Sequence, residues 1–210
     1  MKISYAIPVC NEIDEIKNLT QYLLKHKSEE DEIVILIDES NHTQEVKDYV
    51  EIFAEECHDQ NVIRAYHSLN KNFAMHKNYL NSLCSGEWIL QLDADEYPDE
   101  YLMEAIPWMI EQNPEVEAYW LSRINTVSGL TDEHIKKWGW NINDKGWINF
   151  PDYQMRLYKN TPEIEWMRPV HEILIGYKKF AHMPSNPEYC LLHPKSIERQ
   201  ERQNAFYDTI

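Results

Sequence analysis

"GEWILQLDADEYPDE", residues Gly86 to Glu100, runs from an apolar segment into three acidic side chains within four residues, Asp93, Asp95 and Glu96. "EWILQLD" has the length and composition of a buried strand. Pro98 stands where proline is favoured at a helix start. Asp95, Glu96 and Asp99 would then lie just before or within a first helical turn, where negative charge is stabilised by about 0.3–1 kcal/mol. A lone DxD is ordinarily such a cap. Asp93 points elsewhere, because it ends the strand, where an unpaired carboxylate is poorly solvated and needs a cation or hydrogen-bond donors. Two carboxylates one residue apart in a loop can both reach a hard divalent cation. Mg²⁺ and Mn²⁺ favour that oxygen-rich set and leave positions open for phosphate oxygens.

Upstream of this stretch, strands and helices alternate. "KISYAIPV" places Ile3, Tyr5, Ile7 and Val9 at period two, a strand. Asn11 is expected to cap a helix whose buried face is Ile13, Ile16, Leu19, Tyr22 and Leu23, ending near Lys27. "EIVILID", Glu32 to Asp38, is a β-branched run suited to a strand covered on both faces. A helix over about 43–54, a strand at "NVIRAYH" and a helix at "NFAMHKNYLNSLCSG" follow, the last closed by Gly86 as a left-handed cap. Such repeats imply right-handed crossovers and a mainly parallel, helix-covered sheet, with ligands bound beyond the carboxyl ends of the strands. Asp38, the Asp93–Asp95 pair and the turn "PVCNE" all fall at those ends. The second half is aromatic-rich, with an irregular stretch over 126–152, short strands at "IEW" and "EILIG", and a helical segment from Ser196 onward.

The length of 210 residues suits one domain and a substantial core. With 43% hydrophobic and 12% aromatic residues, a folded chain is expected rather than a disordered one. The net charge of −16, from 36 acids against 20 bases, repels phosphate backbones and anionic lipid, so nucleic acid is a disfavoured partner. It also means that a phosphorylated ligand calls for a metal ion. No run of about 18 apolar residues occurs, so no transmembrane segment is expected, and the acidic N-terminus does not read as a signal peptide. A cytoplasmic protein is the expectation. Cys10, Cys57, Cys84 and Cys190 form no CxxC pair and read as reduced thiols.

"ISYAIPVCNE", "EIVILIDES" and "NFAMHKNYLNSLCSGEWILQLDADE", in that order and spacing over roughly residues 3–100, resemble the front half of a family 2 glycosyltransferase of GT-A fold. "DYQMRLYKN…EIEWMRPVHEIL…LLHPKS" is similar to the tail of a bacterial-type subset of that family. The resemblance implies an α/β, Rossmann-like mainly parallel sheet with helices on both faces and an aromatic-rich acceptor half. Residues 1–100 would bind the nucleotide-sugar and 101–210 the acceptor, within one domain. Two departures stand out: "DESN" lacks the usual glycine after Asp38, and Lys77 replaces the usual arginine, with Ala74 in place of glycine. A basic contact survives without bidentate geometry.

The resemblance also implies roles. Pro8 and Glu12 frame the nucleotide loop, and Asp38 accepts a hydrogen bond from the base or ribose; an ordinary turn aspartate is the plainer reading of Asp38, and the helix dipole explains Glu12 equally well. Asp95 is the expected direct metal ligand, and Asp93 serves the donor ribose or the metal's surroundings. Lys77, Arg156 and Lys195 assist electrostatically. A third metal ligand comes from His193 or, second, His171, imidazole being suited to Mn²⁺. Asp152 is the expected general base, with Glu172 as its rival. Trp138, Trp140 and Trp147 would offer sugar-stacking faces in a closing loop, whereas Trp166 reads as core.

Taken together, the sequence points to a metal-dependent, inverting transfer of a sugar from a nucleotide diphosphate, UDP first among candidates, to a hydroxyl of a glycan, lipid-linked glycan or other acceptor, with Mn²⁺ or Mg²⁺ as cofactor. A sugar-nucleotide pyrophosphorylase would share a Rossmann-like front, but its glycine-rich basic first loop is not seen in "PVCNEIDE". An inactive binding module of the same fold would differ in lacking slow donor hydrolysis.

Overall fold

The structure, a computed structural model, describes residues 1–207. In chain order its elements are β1 (Ile3–Val9), α1 (Ile13–His26), β2 (Glu32–Asp38), α2 (Gln44–Glu56), β3 (Val62–His67), α3 (Phe73–Leu83) and β4 (Trp88–Gln91). Then come β5 (Tyr97–Pro98), α4 (Glu100–Gln112), β6 (Ala118–Ser128), α5 (Asp132–Trp138), β7 (Ile148–Lys159), β8 (Glu165–Met167) and β9 (Ile173–Ile175). β10 (Phe180–His182), β11 (Leu191–Ser196) and α6 (Ile197–Tyr207) complete it.

The main sheet runs β3-β2-β1-β4-β7-β6-β11-β5, with β10 beside the start of β6, and β8 pairs separately with β9. β1 to β4 are mutually parallel. β7 enters antiparallel between β4 and β6, and β11 runs parallel to β6. The carboxyl ends of β1, β2, β4, β6 and β11 therefore share one edge.

All seven residues of β2 are buried, because alternate side chains enter different cores. Ile33, Ile35 and Ile37 pack with Ile7, Leu19 and Val50 on one face, and Val34 and Leu36 with Ala6, Leu80 and Ile89 on the other. No helix among the described residues is long and apolar enough to cross a membrane.

Three local expectations are corrected. Gly86 is not a left-handed cap: α3 ends at Cys84 in an extended conformation. A Cβ on Gly86 would lie 2.7 Å from the Ser4 nitrogen, so glycine is needed for the chain to pass against β1. Asn11 does not cap α1. Glu12 takes that position, and its Oε2 accepts from the amides of Cys10 and Asn11 at 2.8 and 2.9 Å. Pro98 lies in β5 rather than in a helix, and Asp99 caps α4 by accepting from the Tyr101 amide at 2.9 Å. The stretch 126–152 is also more ordered than its composition suggests. α5 forms within it, capped by Thr131 and closed by Gly139 at φ 64°, a left-handed turn that suits glycine.

Candidate active site

Asp93 to Glu96 form a tight turn beyond β4. The Glu96 amide donates to the Asp93 carbonyl at 2.9 Å, and the Asp93 amide donates to Glu96 Oε2 at 3.0 Å. Glu96 is fully buried. Its Oε1 accepts from Arg156 at 2.7 Å and Arg123 at 3.0 Å. Arg156, on β7, also donates to Asp93 Oδ2 at 2.5 Å. Burial alone would raise the Asp93 carboxyl; Arg156 and Lys77 outweigh it and hold the group below the usual carboxylate range. Arg156 thus holds Asp93 through Oδ2.

Asp95 is buried and faces a different set. Its Oδ1 lies 3.4 Å from His193 Nε2, and its Oδ2 lies 3.4 Å from Lys195 and 3.2 Å from Arg199. Burial raises its carboxyl, but the hydrogen bond and charge of His193, with Lys195 and Arg199, hold it far below the usual range. His193 Nδ1 meets Asn125 Oδ1 at 2.6 Å.

Asp152 lies near the start of β7, facing β6. Arg123 donates to its Oδ2 through two nitrogens at 2.9 and 2.7 Å, Asn125 donates to the same oxygen at 2.9 Å, and Gln154 donates to Oδ1 at 2.8 Å. Burial pushes this carboxyl up, and these donors pull it further down, so it is ionised at neutral pH. Arg123 and Glu96 thus connect the Asp93 turn to Asp152 through side chains alone.

At the other strand ends, Asp38 is buried, and its Oδ1 accepts from the Ser40 amide, the Ser40 hydroxyl and the Leu69 amide at 3.0, 2.6 and 3.0 Å. Ser40 supplies these donors in a turn without the glycine. Among the described residues, Oδ2 has only the Cys10 thiol, at 4.0 Å. Pro8 pairs in register with Leu36 inside the sheet. Glu12 reaches Arg199 at 3.7 Å besides bonding its own loop.

Lys77, buried on α3, pairs with Glu172 and sits 4.5 Å over the Trp166 ring. Glu172 is therefore tied to the cation that also acts on Asp93, and among the described residues it makes no direct hydrogen bond or ion pair to Asp93, Glu96, Arg123 or Asp152. His171 is exposed on the β8–β9 turn at φ 53°, with no hydrogen bond or ion pair to Asp93 or Asp95 among the described residues. Trp166 is buried, its Nε1 donating to Tyr158 at 3.1 Å. Trp138 and Trp140 pack with centroids 4.6 Å apart, and Trp147 lies 4.8 Å from Phe150, all four half-buried beside the β6–β7 connection.

Sequence reasoning missed Glu96 as an organising anion, and Arg123, Asn125, Gln154 and Arg199 altogether. Only "SRIN", a polar pair in an apolar strand, carried any local signal for Arg123 and Asn125.

Asp95 Oδ1 and His193 Nε2 are the two donors that could hold a divalent cation here, beside Lys195 and Arg199 on Asp95 Oδ2. Among the described residues no three His, Cys, Asp or Glu side chains gather into a complete cage. Asp95 and His193 offer one oxygen and one nitrogen, which suits an ion that keeps its other positions for phosphate oxygen and water.

Glycosyl transferase family 2 matches residues 4–175 of the sequence. The chain belongs to that family. Its fold is that of GT-A glycosyltransferases. S. aureus TarS 1-349 in complex with UDP-GlcNAc superposes with a TM-score of 0.57 at 14% identity, over 90% of this chain and 60% of that one. The same protein with UDP gives 0.52 at 19% identity, over 62% and 38%. The Pyrobaculum calidifontis mannosyltransferase PcManGT with GDP-Man and Mn²⁺ gives 0.50 at 20% identity, over 58% and 35%. This family 2 chain thus spans less than two thirds of each of those proteins. No curated protein sequence matches it.

Proposed function

We propose that this family 2 domain is a metal-dependent, inverting glycosyltransferase, moving a sugar from a nucleotide diphosphate to an acceptor hydroxyl. The observation that carries the reading is the meeting of Asp95 and His193 at the shared strand edge, linked through Asn125 to an ionised Asp152. A UDP-sugar is the donor first in line, in keeping with the UDP and UDP-GlcNAc complexes of the similar S. aureus protein. The Mn²⁺ in the mannosyltransferase complex supports that ion or Mg²⁺ here.

Asp38 Oδ2 accepts from the base or ribose, and the Pro8–Glu12 loop borders the nucleotide. Asp95 and His193 would hold the cation, which would supply charge neutralisation to the departing diphosphate. Asp93, kept in place by Arg156, faces the donor ribose. Asp152 takes the proton of the acceptor hydroxyl as its oxygen bonds to the anomeric carbon and the bond to the diphosphate breaks. Its Oδ1 has one donor, Gln154, and so keeps acceptor capacity for that proton. The tryptophan-rich β6–β7 connection lies on the acceptor side, where indole faces suit the apolar faces of a glycan or lipid-linked glycan.

Asp152→Asn is the direct test. The expected result is loss of turnover by about 10²–10⁴-fold with donor affinity unchanged. Undiminished turnover in that variant would show that the base lies elsewhere. An inactive binding module would show no slow donor hydrolysis in the wild type.

A further inference from the structure

Asn125 stands between the two chemical centres of the site. It lies on β6, in register with His193 on β11, and its side chain touches both His193 and Asp152. Nδ2 donates to Asp152 Oδ2 at 2.9 Å, and Oδ1 meets His193 Nδ1 at 2.6 Å. A primary amide has one donor end and one acceptor end. Asp152, ionised and held by Arg123, only accepts. The NH₂ end of Asn125 must therefore face Asp152, and its oxygen must face His193. For that contact to be a hydrogen bond, Nδ1 has to carry a proton. In a neutral imidazole this leaves Nε2 bare, and Nε2 is the atom 3.4 Å from Asp95 Oδ1. With Nδ1–H held by Asn125, Nε2 is the nitrogen left to serve Asp95, through its own proton in the ion-free protein and through its lone pair once that proton gives way to a cation.

We propose that Asn125 is a positioning residue that fixes His193 as its Nδ1–H tautomer, taking its own orientation from Asp152, and so presents a bare Nε2 to the metal. The inference rests on the reading of Asp95 and His193 as metal donors. It adds a coupling: the residue that receives the acceptor proton also sets the amide that prepares the metal ligand. Partners of metal-bound histidines act in this way generally, and their loss costs roughly 10–100-fold in metal affinity.

The test uses ¹⁵N NMR of His193 at about pH 8, above the usual imidazole range, with and without Mg²⁺, and Mn²⁺ titration by electron paramagnetic resonance. Wild type is expected to show a proton on Nδ1 and none on Nε2 in the Mg²⁺-loaded protein. Asn125→Leu is expected to lose that preference and to bind Mn²⁺ roughly 10–100-fold more weakly. Asn125→Asp keeps an oxygen toward Nδ1 and is expected to retain the tautomer while losing the donor to Asp152. A merely structural asparagine predicts equal stability losses in both variants and no change of tautomer. A bare Nδ1 in wild type, or an Asn125→Leu protein with unchanged tautomer and Mn²⁺ affinity, overturns the proposal. Should Asn125→Leu fail to fold, the wild-type tautomer and its retention in Asn125→Asp decide. A wild type that binds neither ion sinks the metal reading, and the Nδ1 proton of the ion-free protein then decides the role of Asn125 separately.

Discussion

Glu96 and Asp99 lie three residues apart in the acidic stretch, yet they do unrelated work. Asp99 caps α4, and its loss to alanine is expected to cost about 1 kcal/mol. Glu96 has no exposed surface and holds Arg123 and Arg156 on one oxygen. Glu96→Gln leaves the buried Arg156 and the half-buried Arg123 short of charge, and urea unfolding is expected to show a loss of about 3–5 kcal/mol. A loss no larger than that of Asp99→Ala would show that the network is weakly coupled. The acids of "DADE" were legible as a cluster because three of them crowd one strand end. Their division of labour was not, since the partners of Glu96 lie 27 and 60 residues away and are brought in by tertiary pairing. His76 was illegible for the same reason. Burial first, then the neighbouring His67, pushes its imidazole down to about 4. The unfolded chain therefore binds more protons than the folded one between about pH 6.5 and 4, so His76 lowers stability as pH falls through that window. Stability against pH is expected to flatten there in His76→Gln, and an unchanged profile would contradict the assignment.

Among the elements, β1 to β4 were readable because each is a short buried run next to an amphipathic helix, and its pairing follows from the crossover rule. β7 was not. It inserts antiparallel between β4 and β6, a choice made by long-range packing that no local period records. The first residue of β2 shows how elements are tied together. Glu32 accepts from Lys2 and Ser4 at the start of β1 and from the Ser85 amide and hydroxyl ahead of β4. Burial opposes its charge, but these donors push its carboxyl down to about 2. A lowered carboxyl stabilises the fold above its unfolded value of about 4.5, and the contribution disappears as pH falls toward about 2. Glu32→Gln is expected to be less stable than wild type at pH 7 and to converge with it near pH 2. A constant difference across that range would place the effect in packing rather than charge.

For the whole molecule, the sheet gathers the ends of β1, β2, β4, β6 and β11 on one edge, which is why Asp38, Asp95 and His193 share a side although they span 155 residues. The family-like motifs made that edge legible from the front half. His193 was picked from the tail pattern, whereas its connection to Asp152 needed the β6–β11 register. A net charge of −16 disfavours any diphosphate that arrives without a counter-cation. The proposed transfer therefore stands on a metal-dependent nucleotide site built on Asp95. The most direct measurement is thermal stabilisation by UDP, GDP, CDP and dTDP, each with and without Mn²⁺, on wild type and Asp95→Ala. A shift is expected with one nucleotide, present only with Mn²⁺ and lost in the variant. Stabilisation that persists without metal or in Asp95→Ala, or none with any nucleotide, would contradict it.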